Sequence, residues 1–202
     1  MVAGVPPQSR DGEETNDAAI TAPTGQGMTS PEDDAGTHPR AKPVALVIIS
    51  GGGFTFETKC LLRQIGDDFD FVYLRTEFGG TPGEGDLPGG ESHPVPSFAS
   101  KTRGSARDSL RAFVLTLRAT RHAVRRHRVA TIIAVGCSHA VPMLLAGRLA
   151  GVPTVFIESI TRVRHLSATG KLVYHLRLAR LFIVQWPGLH GAYPASRLGT
   201  IL

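Results

Sequence analysis

The chain has 202 residues, 42% of them apolar, and a formal net charge of +5 at neutral pH. Its two cysteines, Cys60 and Cys137, are far apart, which excludes a disulfide framework and implies a reducing compartment. No run reaches the roughly 18 apolar residues that cross a bilayer, and no basic patch followed by an apolar core opens the chain, so neither a span nor a signal peptide is expected.

Charge divides the chain before any motif does. Residues 1–40 hold two arginines against seven acids, a net −5, so the remainder carries +10. Residues 1–41 are rich in Gly, Pro, Thr, Asp and Glu with almost no apolar run, and are expected to form a disordered acidic tail. Residues 42–202 are expected to form the folded domain. Its basic excess favours phosphates, anionic lipid or nucleic acid.

From position 43 the pattern changes. The run "PVALVIIS" (43–50) is short, β-branched and bounded by Pro and Gly, as in a strand buried on both faces. "TFETKCLLRQI" (55–65) reads as a helix capped by Thr55, and "FDFVYLR" (69–75) as a second strand. Residues 76–100 read as a long Gly- and Pro-rich loop, a length that implies a lid or binding loop. "SARDSLRAFVLTLRATRHAVRRHR" (105–128) is the longest helix, with Leu110, Phe113, Val114, Leu117 and Val124 near one stripe. A strand at 129–136, a helix at 138–151 with Pro142 in its first turn, and a strand at 152–159 follow. A helix at 170–179, a strand at 180–186 and a short strand within 195–202 complete the order. Strands alternate with helices throughout, which predicts an α/β fold: a Rossmann-like parallel sheet with helices on both faces.

In such sheets ligands bind beyond the C-terminal strand ends. Gly51, Gly52 and Gly53 stand there, where glycine lets backbone approach an anion and the next helix offers its N–H groups. A tight turn without a ligand is the equal alternative. The spacing does not match G-x-G-x-x-G, because position 56 is Phe, and Arg75 stands where an acid would close the second strand. "SATGKL" (167–172) lacks the upstream glycine of a P-loop.

The segment "VFIESITRVRHLSATGKLVYHLRLARLFIVQWPGLHGAYP" (155–194) closely resembles the acceptor-side subunit of split GT-B glycosyltransferases, the Alg-fourteen type in eukaryotes and the PssD type in bacteria. The run E-S-x-x-R-V-x-x-L-S-x-T-G-K and "LFIVQWP" followed by "YP" carry the resemblance, and "SGGGFTFE" is similar to the family's G-S-G-G-H-T-x-E loop. It extends over 43–202. The resemblance implies a domain equivalent to the N-terminal half of a GT-B enzyme that binds a lipid-pyrophosphate-linked sugar and docks on the membrane. A separate donor-binding subunit of the Alg-thirteen or PssE type would hold the UDP-sugar, with the reaction between the two. A chain with no second Rossmann-like domain fits a half enzyme. It would sit peripherally on the cytoplasmic face of a membrane: the plasma membrane in a prokaryote, the endoplasmic reticulum in a eukaryote. Phe54 stands at the family's His position and cannot move a proton, which puts a base on that loop in doubt.

Candidate groups follow from strand-end position and this resemblance. Glu57 and Glu158 are the catalytic candidates, able to orient or deprotonate an acceptor hydroxyl. Glu57 has the alternative of a helix N-terminal charge. Gly51, Gly52, Gly53, Thr55, Gly136, Ser138, Ser159, Arg162 and Arg164 are the acceptor and phosphate candidates, the arginines for their planar forks. Ser138 also suits a helix cap, His139 is a possible replacement for the absent His, and Cys137 has no part in sugar transfer. The stretch 101–128 holds nine Lys/Arg against Asp108. Arg111, Arg118 and Arg125, with Trp186, are the membrane or partner candidates, against the plainer reading of a solvated helix face and a core Trp. No metal cluster is visible, and neither metal nor cofactor is expected. Two other readings remain open: a free-standing homodimeric glycosyltransferase, and a basic nucleic-acid-binding module. The second lacks aromatic platforms between the basic residues, so no nucleic acid is expected as partner.

Overall fold

Six residues, Val44–Ile49, form the central strand β1, and all but the half-buried Val44 are shut off from water: Ala45, Val47 and Ile49 are buried on one face, Leu46 and Ile48 on the other. Two-sided burial explains why the run is continuously apolar rather than alternating. In the computed structural model, residues 41–79, 87–98 and 105–201 are described. The expected acidic tail apart from Ala41, the loop tip 80–86, and residues 99–104 with Lys101 and Arg103 lie outside them.

Around β1 the described residues build a seven-stranded sheet. Strands β2 (Asp70–Arg75), β3 (Gly90–Pro94), β4 (Thr131–Val135), β5 (Thr154–Ile157), β6 (Leu181–Val184) and β7 (Arg197–Leu198) join it in the order β3-β2-β1-β4-β5-β6-β7. Every neighbouring pair is parallel. Helices α1 (Gly53–Ile65), α2 (Ala106–His127), α3 (Ala140–Leu149), α4 (Ala168–His175) and α5 (Pro187–Ala192) make the connections. Leu61 and Leu62 of α1 pack with Val47 and Ile49 on one face. Ala123 of α2, Met143 and Leu144 of α3 and Val173 of α4 pack with Leu46 and Ile48 on the other. The expected Rossmann-like α/β sheet, covered on both faces, is the observed fold.

Four expectations are corrected. The loop expected over 76–100 contains β3, a Gly-Glu-Ser-His-Pro run with no apolar signal. It is an edge strand, held by backbone pairing to β2 rather than by burial, and an edge tolerates its proline. The stripe of large residues on α2 is not its buried face. Ala112, Thr116, Thr120 and Ala123 are buried, while Leu110 and Val114 are exposed. Small side chains let the helix lie close to the sheet and to α3, while Phe113, Leu117 and Val124 are half-buried at its flanks, Val124 against the core. Helix α4 starts at Ala168, because the Ser167 hydroxyl caps it by accepting from the Gly170 N–H at 2.9 Å. Helix α5 has no counterpart in the sequence reading; Pro187 at its first position follows a familiar rule, but two glycines in six residues mask it. Helix α2, by contrast, opens at Ser105 as expected, with a reciprocal capping box between Ser105 and Asp108.

Candidate functional site

All seven strands run in one direction, so the loops that follow them gather along one edge. The strand order reverses between β1 and β4. Their loops turn to opposite faces and leave a crevice between them. The glycines of 51–53 lie on one side of it and Gly136–His139 on the other.

Gly51 and Gly136 are glycines by necessity. Gly51 has φ 92°, and a Cβ there would stand 2.5 Å from the Phe78 carbonyl oxygen. Gly136 has φ 57°, and a Cβ would stand 2.6 Å from the Phe54 ring and 3.3 Å from Cβ of Ser159. So Phe54 is packed into the crevice where the family pattern has His. Gly52 and Gly53 face open space, and Gly52 is the N-cap residue of α1, with no side chain capping the helix. Thr55, expected as that cap, lies inside the helix. Its Oγ1 instead accepts from the Gly51 N–H at 2.9 Å and braces the loop. Ser138 likewise caps nothing: His139 holds the N-cap position of α3, and Ser138 is exposed.

The loop after β5 is the most heavily pinned part of the edge. Glu57 is buried (4% exposed). Its Oε1 accepts from the Ser159 hydroxyl at 2.6 Å, and its Oε2 from the Ile160 N–H at 3.2 Å. Because the Ser159 proton is given to Glu57, the Thr161 hydroxyl is the donor in its 2.9 Å contact with Ser159 Oγ. Glu158 is fully buried (0% exposed). Its Oε1 accepts from the Ser159 N–H at 3.0 Å, and its Oε2 accepts from both the N–H and the hydroxyl of Ser167, each at 3.0 Å. One carboxylate thus ties both ends of the 158–167 loop. Gly170 leaves the space for it, since any side chain at 170 would collide with Glu158 Oε2. From β6, Gln185 Nε2 donates to the Glu158 carbonyl at 3.0 Å and Trp186 Nε1 donates to the Ile160 carbonyl at 2.6 Å. Arg162 and Arg164 stand exposed on this fastened loop.

Burial sets the electrostatics. It raises the Glu158 carboxyl above its ordinary range, against the hydrogen bonds from Ser167 and Ser159 and the Arg162 charge. It raises the Cys137 thiol, which disfavours the thiolate. It lowers His139, against the Pro96 carbonyl. His139 Nε2 lies 3.0 Å from that carbonyl, so Nε2 carries the proton. Nδ1 then holds a lone pair, buried and without a partner among the described residues. The Phe98 ring meets the imidazole edge-on, with centroids 4.6 Å apart.

The structure therefore brings Glu57, Gly136, Glu158 and Ser159 into one cluster with Phe54, and sets Arg162, Arg164 and Trp186 on its rim. Arg111, Arg118 and Arg125 are apart from it, exposed along α2. Ser167, Gly170 and Gln185 complete the cluster and escaped sequence reasoning. Ser167 left a local signal, a serine just before an apolar helical run, and both Ser167 and Gly170 stand in the motif at 158–171; neither signal shows that they gather around a buried carboxylate.

A family described as "Oligosaccharide biosynthesis protein Alg14 like" matches residues 98–202. The human UDP-N-acetylglucosamine transferase subunit ALG14 is 40% identical over 85 residues, 38% of each chain. The rat protein of the same name is 38% identical over 86 residues, 39% of each. The match thus spans about two fifths of the length of these relatives. Among solved structures, MurG of Acinetobacter baumannii superposes with a TM-score of 0.55 at 18% identity, over 79% of this chain and 45% of that one. A UDP-N-acetylglucosamine 2-epimerase from Rickettsia bellii gives 0.56 at 10% identity, over 78% and 43%. These likenesses establish a shared Rossmann-like fold.

Proposed function

The chain belongs to the family of Alg14-like oligosaccharide biosynthesis proteins, and from that premise we propose that it is the acceptor-binding, membrane-docking subunit of a two-component UDP-sugar glycosyltransferase. The family match over 98–202 carries the reading. The relatives' own name, a UDP-N-acetylglucosamine transferase subunit, supports both the donor class and the need for a partner.

In this reading a lipid-pyrophosphate-linked sugar lies along the C-terminal edge of the sheet. Arg162 and Arg164 meet its pyrophosphate, with the open glycines 52 and 53 and Ser138 lining the approach. The donor-binding subunit supplies the UDP-sugar across the cleft. An acceptor hydroxyl attacks the anomeric carbon, its proton passes to a base, and UDP departs with the bonding electron pair. Phe54 can only pack. Glu57 and Glu158 act as positioning residues, because their oxygens are spent on the 158–167 loop; the rate then rests on orientation and on stabilising diphosphate charge. Docking uses the outer face of α2. There Leu110 and Val114 lie between Arg107, Arg111 and Arg118 around a groove of about 360 Å³, an arrangement suited to an anionic lipid surface.

Two titrations of the purified chain test this. A short-chain polyprenyl pyrophosphoryl sugar is expected to bind saturably, and Arg162→Ala with Arg164→Ala to weaken it at least tenfold. UDP-N-acetylglucosamine alone is expected to show no binding at millimolar concentration. One-to-one binding of the sugar nucleotide by the isolated chain would overturn the split-enzyme reading.

A further inference from the structure

On the edge of the sheet where β3 meets α2, three potential ligand groups converge. Glu91 and His93 are two apart on β3 and so share a face of the strand. His127 is the last residue of α2, 34 positions beyond His93. The two imidazoles face each other with Nε2 atoms 3.1 Å apart. Glu91 Oε1 lies 3.6 Å from His93 Nε2, and its Oε2 lies 3.8 Å from His127 Nε2. All three ligand atoms fall within 4.8 Å of one another.

We propose that Glu91, His93 and His127 form a binding site for one divalent transition-metal ion of the zinc class, tying the edge strand β3 to the C-terminal turn of α2. The distances suit the ion. Tetrahedral ligands at zinc–nitrogen distances near 2.0–2.1 Å stand roughly 3.3 Å apart, and the present separations need only small side-chain adjustments to reach that. Two imidazoles and a carboxylate are a donor set that zinc accepts, with water filling the fourth position. The side chains of His93 and His127 are 21% and 15% exposed and that of Glu91 48%, so the site is partly closed, with Glu91 its most exposed member. The C-terminal end of α2 adds the negative pole of the helix.

Without an ion, one ring donates its Nε2–H to the lone pair of the other. Binding needs both Nε2 lone pairs, so that proton moves to Nδ1 of its own ring. Burial is the main reason His93 is held below the ordinary imidazole range. His127, His122 and Arg126 push the same way and Glu91 opposes them. The competing cation is Arg126, whose Nε is 3.7 Å from Glu91 Oε1; it can stay on the carboxylate oxygen that the metal leaves free. The gain would fall on an edge strand. β3 has no aliphatic or aromatic apolar residue and, among the described residues, one neighbouring strand, yet it leads to Pro96, whose carbonyl holds His139 beside the crevice.

The test uses the full chain, stripped with a chelator and titrated with zinc against a chromophoric competitor. One zinc per chain is expected, with affinity weakened roughly 100-fold in His93→Ala and in His127→Ala, about tenfold in Glu91→Gln, and abolished in the double histidine variant. Saturating zinc is expected to raise the melting temperature of the wild type by roughly 5 °C and to leave the double variant unmoved. Absence of stoichiometric binding by the wild type, or wild-type affinity in the double variant, overturns the proposal. Should that variant fail to fold, cobalt substitution in the wild type decides. Ligand-field bands of a nitrogen and oxygen site support the proposal, and a thiolate charge-transfer band, which would place the ion on a cysteine, overturns it.

Discussion

Gly170 sits in a helix, where alanine is ordinarily the better residue by about 1 kcal/mol. Here the added methyl would strike Glu158 Oε2, the oxygen that holds both donors of Ser167. Gly170→Ala is therefore expected to destabilise the protein by about 2 kcal/mol, read as a lower urea midpoint with an unchanged slope. A second expectation concerns His139. Burial lowers its pKa, so the folded state resists the charged ring more than the unfolded chain does. The contribution to stability is complete above the ordinary imidazole range. It is lost as pH falls through that range towards the lower folded value. Denaturant midpoints between about pH 7.5 and about pH 5.5 should fall more steeply in the wild type than in His139→Gln, which keeps a donor for the Pro96 carbonyl but does not titrate. Equal slopes would remove His139 from the acid response. At this scale the sequence was partly legible. The family resemblance singled out Glu57, and strand-end position together with that resemblance singled out Glu158 and Ser159, because loops after parallel strands must gather at one edge. That the carboxylates hold a loop, with their oxygens already occupied, depends on partners 102 and 9 residues away and could not be read from spacing.

Element by element, the strands of the centre and the short strand β7 declared themselves, and the edge strand β3 did not. β1 and β4 are buried on both faces, and continuous apolar runs mark them. β3 is a strand only because β2 offers it a row of unpaired backbone groups, so its own side chains carry no trace of the fact. Helix α2 is the opposite case: its length was plain, but its inner face was not. Its buried side chains are Ala and Thr, while Leu110 (63% exposed) and Val114 (37% exposed) face outward. Turning those two positions to glutamate should cost little stability, because they lie outside the core. Binding to vesicles containing anionic lipid is expected to fall at least tenfold in Leu110→Glu with Val114→Glu. Sedimentation with vesicles, set beside a melting curve, measures both. Unchanged vesicle binding would take α2 out of the docking surface.

For the molecule as a whole, charge is the property that acts at a distance. The acidic first forty residues and the basic remainder oppose each other across +10 and −5, and electrostatic attraction to anionic lipid weakens as the Debye length shortens from about 10 Å at 0.1 M salt to about 3 Å at 1 M. Vesicle binding is expected to fall steeply with added salt, and a chain lacking residues 1–40 to bind more tightly than the full chain at low salt. Equal affinities would mean that the acidic segment does not compete for the basic surface.

What the sequence by itself determined is the alternation of strands and helices, hence a parallel Rossmann-like sheet, and the family. Both rest on local pattern: periodicity, end signals and a contiguous motif at 155–194. What only the tertiary structure decided is which groups meet. It set Phe54 against Gly136, wrapped Glu158 in the ends of its own loop, turned the small face of α2 inward and brought Glu91 and His93 to His127. Such contacts join residues tens of positions apart, and they exist only once the strand order, reversed between β1 and β4, has placed their elements side by side.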